Sequence, residues 1–155
     1  MAAGSCFGQY AVGFCYDAGL GVAEDHAEAV RLYRLAAAQG LASAQFNLGV
    51  MFDNGEGVAQ DDVEAARLYR LAAAQGHAAA LYNLGIKYDD GEGVTQDHAE
   101  AVRLWRLAAE QGHAMARCML GYPWRREAAC SAASLPSPTP IPRAAPPAYE
   151  PRLPQ

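Results

Sequence analysis

The chain has no proline in its first 122 residues, no CxxC pair among its four cysteines, and few basic residues over most of its length. It also has no apolar run approaching the roughly 20 residues that a membrane-spanning helix needs. Each absence excludes something. No proline therefore breaks a helix before Pro123. Cys6, Cys15, Cys118 and Cys130 are scattered, which argues against a disulfide framework or a zinc site and for reduced thiols. The opening MAAGSCFGQY has neither the charged start nor the apolar core of a signal peptide. The expectation is a soluble, cytoplasmic chain without membrane insertion. Residues 9–116 hold 7 Lys/Arg against 15 Asp/Glu. An acidic body of this kind repels phosphate backbones, so nucleic acid is not expected as a partner.

What the chain does have is a period. Gly13, Gly49, Gly85 and Gly121 stand 36 residues apart, and the residues between them recur in the same order. The complete units are residues 9–44, 45–80 and 81–116. A period of this size marks a solenoid, because one unit cannot bury its apolar face without neighbours, and about three units are needed for stability.

Inside a unit the pattern reads helix, turn, helix. In the second, Phe46, Leu48, Gly49 and Phe52 are apolar or small at helical spacing, and the stretch stops at Asn54-Gly55-Glu56-Gly57, where glycine can take the left-handed closing conformation. Asp61 followed by Glu64, repeated as Asp25/Glu28 and Asp97/Glu100, has capping-box spacing and starts the second helix. That helix carries the apolar stripe Ala65, Leu68, Tyr69, Leu71, Ala72 and ends at Gln75-Gly76. The glycine inside each first helix costs about 1 kcal/mol relative to alanine. Its recurrence implies a close approach, for which Tyr33, Tyr69 and Trp105 are the candidate neighbours.

These residues resemble a known family. Asn83, Leu84, Gly85, Tyr88, Gly91, Gly93, Val94 and Asp97, followed by Glu100, Ala101, Leu104, Trp105, Ala108, Ala109 and Gly112, are similar to the Sel-1-like repeat, a relative of the tetratricopeptide repeat. The resemblance covers residues 9–116 and implies an all-α, right-handed α-α superhelix used as an adaptor or scaffold. One cysteine-rich branch of the family is linked to β-lactam hydrolysis. That branch staples each repeat with a cysteine pair, which units two and three lack here, so an enzyme is the lesser reading and a fragment of a longer array the third.

At the ends the phase breaks. Residues 1–8 read as the remnant of a preceding repeat, which makes Phe7, Tyr10 and Phe14 candidates for exposed core. Residues 117–124 read as a truncated fourth repeat, stopped by Pro123. Residues 125–155, rich in proline and alanine, read as a disordered tail.

Catalytic and metal chemistry find no support in the motifs. The four histidines occupy repeat slots, giving a ladder instead of a cluster of three or four converging ligands. The acidic turns lack the ligand order of a calcium loop. No metal or cofactor is expected. Arginines at 31/34, 67/70 and 103/106 would line up as a basic stripe, but Glu28, Glu64 and Glu100 stand three residues before an arginine and can pair with it, so a solvated, charge-balanced face is expected. By analogy with related repeats, the first helices line a concave face. Its varying positions are Asn47, Met51, Asn54, Asn83, Lys87 and Asp90, the candidate contacts for a protein or peptide partner.

Overall fold

The computed structural model describes residues 4–121. The readings made for Pro123, Trp124 and the tail lie outside that range. Among the described residues the fold is all-α, with seven helices: α1 (Cys6–Ala18), α2 (His26–Ala38), α3 (Ala42–Asn54), α4 (Asp62–Ala74), α5 (Ala78–Asp90), α6 (His98–Glu110) and α7 (Ala114–Gly121). The odd-numbered helices start 36 residues apart, as do the even-numbered ones. α1, α3 and α5 each pair with the even helix that follows, and each even helix packs on the next odd one. α1 begins at Cys6, so residues 6–8 lie within the first helix. Phe7 and Phe14 are exposed as expected. Tyr10 is not, because its ring lies 5.8 Å from that of Tyr33.

The turn inside each unit is held in the same way three times. Gly19, Gly55 and Gly91 close α1, α3 and α5 in the left-handed conformation. The amides of Leu20, Glu56 and Glu92 then bond back to the carbonyls of Cys15, Met51 and Lys87, satisfying helix-end acceptors. The capping aspartates behave as the spacing predicts: Asp25, Asp61 and Asp97 accept from the amides of Glu28, Glu64 and Glu100 at 3.0, 3.0 and 3.1 Å. The returning half of the capping box is absent. The aspartates' own amides already donate to the carbonyls of Tyr16, Phe52 and Tyr88, so the glutamates are released to pair with Arg31, Arg67 and Arg103.

Two clusters form the core, one around Tyr33, Leu48, Met51 and Leu68, the other around Tyr69, Leu84, Leu104 and Trp105. The helical glycines admit these aromatics. A Cβ on Gly13 would lie 3.1 Å from the Tyr33 ring and one on Gly49 2.8 Å from Tyr69, while one on Gly85 would meet the Trp105 indole closer still.

Candidate functional site

Of the first-helix positions singled out in the sequence, two are not surface at all. Met51 is 1% exposed and packs in the core, and Lys87 is 4% exposed. The asparagines have structural work. Asn47 Nδ2 donates to the Tyr33 hydroxyl at 3.2 Å, and that hydroxyl donates to Asp17 at 3.3 Å. Asn83 bonds the Tyr69 hydroxyl, which donates to Asp53 at 3.1 Å. Burial pushes both phenols above the ordinary tyrosine range, with the asparagine bonds opposing it. Each asparagine therefore ties its own repeat to the tyrosine of the preceding one. Asn54 and Asp90, at the ends of α3 and α5, are exposed.

Lys87 sits among carboxylates. Its ammonium pairs with Asp53, and lies 3.0 Å from Asp62 and 2.9 Å from Glu92. Burial alone would lower a lysine, but hydrogen bonds to Asp53, Glu92 and Asp62 outweigh it and hold Lys87 above its ordinary range. The three carboxylates gather close enough to suggest a cation site, and the lysine supplies that cation from within the chain. Met51, one period earlier, fills the same place with an apolar side chain. The histidines also secure helices. His26 and His98 reach Asp17 at 3.2 Å and Asp89 at 2.5 Å. His77 and His113 accept the amides of Ala80 and Ala116 through Nδ1 at 3.3 Å and stack on Phe46 and Tyr82 at 4.8 and 4.9 Å.

Open concave space lies elsewhere, between successive second helices. The first cleft, of ≈ 540 Å³, has Arg34 and Ala37 of α2 on one wall, Arg67 and Leu71 of α4 on the other, and Leu48 and Phe52 of α3 as its floor. The second, of ≈ 340 Å³, is its counterpart one period on: Arg70 and Ala73, Arg103 and Leu107, Leu84 and Tyr88. Such volumes fall in the range of side-chain or ligand pockets, about 300 to 1,000 Å³. Four of the six periodic arginines, Arg34, Arg67, Arg70 and Arg103, thus line two grooves. The sequence showed the period of these residues, but not that α2 and α4 stand apart over α3.

The sequence matches the Sel1 repeat at residues 7–41, 42–77 and 78–113. The chain belongs to the Sel1 repeat family. The matched units start two or three residues before those delimited by the glycine period. Among solved structures, this Sel1 repeat chain is similar to a protective antigen of uropathogenic Escherichia coli displaying an SLR fold, with 41% identity and a TM-score of 0.75. It is also similar to a Sel1 repeat protein from Oxalobacter formigenes, with 38% identity and a TM-score of 0.73. Each likeness covers 79% of this chain, but only 26% of the first protein and 50% of the second. Helicobacter pylori cysteine rich protein B shares the fold at 20% identity and a TM-score of 0.64, over 74% of this chain and 88% of that one. No curated protein matches the chain. Cys6 and Cys15 are half-buried free thiols and Cys118 is an exposed one; Cys130 lies outside the described residues. None of the described helices is long and apolar enough to cross a membrane.

Proposed function

We propose that this Sel1 repeat array is a non-catalytic interaction scaffold that grips segments of a protein partner in the clefts between its second helices. Sel1 repeats typically mediate protein interactions. The observation that carries the reading is the recurrence of one cleft at the repeat period, with arginine, alanine, leucine and an aromatic at equivalent positions. Tyr33, His77 and Lys87 are engaged in a tyrosine anchor, a helix cap and an ion cluster, which supports a structural role for them. The first-helix column is the weaker candidate surface, since Met51 and Lys87 are buried.

The test compares two double variants in capture experiments from the source cell. Leu71→Arg with Leu107→Arg places charge in both clefts, and both leucines are exposed enough (42% and 37%) to be replaced without unfolding the array. Partners captured by the parent should be lost by this variant and kept by Asn54→Ala with Asp90→Ala. The reverse pattern would move the contact to the first helices.

A further inference from the structure

The positive charge of the array is segregated. Of the seven Lys/Arg in residues 9–116, six lie on the second helices, and the seventh, Lys87, is buried. All six arginines are exposed. Arg31, Arg67 and Arg103 are neutralised by Glu28, Glu64 and Glu100. Arg34 and Arg70 differ from them, because among the described residues neither has an ion-pair partner. The Arg34 guanidinium lies over the Phe52 ring, 5.6 Å from its centroid, and Arg70 donates to the Tyr88 hydroxyl at 3.0 Å. Both are therefore held on the aromatic floor residue of their cleft, in a chain where carboxylates outnumber basic groups. Glu64 of the first cleft and Glu100 of the second each take two hydrogen bonds, from Arg67 and Arg103 respectively, at 2.8 and 2.6 Å, and the field of Glu64 reaches Arg34 without forming an ion pair with it.

Beyond the arginine each cleft becomes apolar. Alanines of one wall face a leucine of the other, Leu71 or Leu107. Arg34 stands four positions before Ala38 on α2, and Arg70 four before Ala74 on α4, about 6 Å at 1.5 Å per residue. An extended peptide spans that length with about two residues, at up to 3.6 Å each. From this juxtaposition of a guanidinium outside any ion pair with an aliphatic slot, resting on the scaffold reading above, we infer that each cleft takes an acidic, aliphatic-bearing peptide segment. An Asp or Glu carboxylate docks on Arg34 or Arg70, and a Leu, Ile or Val two or three residues away enters the slot. A guanidinium fork suits a carboxylate bidentately. Two clefts in tandem favour a partner that carries the motif twice.

The experiment selects displayed random 12-residue peptides on the full chain, then measures labelled winners by fluorescence anisotropy. Selected sequences should place Asp or Glu within three residues of Leu, Ile or Val, and their affinity should fall as salt rises. Arg34→Gln with Arg70→Gln should weaken binding at least about tenfold, the scale of a lost charge-assisted bond, with an unchanged melting temperature. Arg34→Lys with Arg70→Lys, which keeps the charge but loses the fork, should fall between. Arg31→Gln with Arg106→Gln, neither of which lines a cleft, should bind like the parent. Selection of basic peptides, or full affinity in the Gln variant, overturns the acidic occupant while leaving the scaffold reading intact. Failure to select any peptide overturns the scaffold reading itself.

Discussion

Single residues set the spacing between the two helices of a repeat. Where Gly13, Gly49 and Gly85 stand, alanine would gain about 1 kcal/mol of helix propensity and lose about 1 to 3 kcal/mol to overpacking. The balance depends on the distance to the aromatic ring, which shortens from Tyr33 to Tyr69 to Trp105. Gly13→Ala should leave stability within about 1 kcal/mol of the parent, and Gly85→Ala should lower it by about 1 to 2 kcal/mol. Urea denaturation of the three variants gives the order, and a Gly85→Ala protein at least as stable as the parent would contradict the close approach. This contact was legible in the sequence, because glycine and aromatic share a repeat and recur together. The bonds of Asn47 to Tyr33 and of Asn83 to Tyr69 were not. They cross from one repeat to the one before, and periodicity alone does not say which turn of the neighbouring unit a side chain faces.

Helix ends show how far local signals carry. Aspartate caps and left-handed glycines were readable from short-range spacing, since each acts within a few residues of itself. The histidine caps were not, for His77 needs both the Ala80 amide and the face of Phe46, which lies 31 residues away. This cap is sensitive to pH. Burial lowers the His77 pKa below its ordinary value, and Nδ1 accepts a bond only when unprotonated. The unfolded chain therefore takes up a proton first as pH falls, so the stabilisation is complete above about 6.5 and declines below that value towards the folded pKa. His77→Asn keeps a capping acceptor and removes the titration. Between about pH 7.5 and 5.5 the parent should lose more melting temperature than His77→Asn, and equal losses would show that the cap does not titrate.

At the scale of the whole array, three nearly identical units are joined by two unlike seams. Gly57 approaches the backbone of His26, and Gly93 that of Asp62, so both turns seat on the preceding second helix in the same way. Their positive φ values of 68° and 69° bring the chain in without a Cβ. Beside these seats, Met51 fills the first seam with hydrocarbon, and Lys87 fills the second with an ion cluster. Lys87→Ala would leave three carboxylates facing one another, a loss of about 2 to 4 kcal/mol, in the lower part of the range for a broken buried pair because Asp62 and Glu92 keep contact with water. Hydrogen exchange should show that loss in α5 and α6, with α1 and α2 little changed, and a uniform loss would show the seams to be equivalent. In a row of units coupled only to their neighbours, unequal couplings decide where the row parts. Added salt screens the lysine cluster and leaves the methionine contact in place or strengthens it. The array thus carries a fault line whose slip depends on the ionic strength around it, placed by one residue in an otherwise repeated sequence.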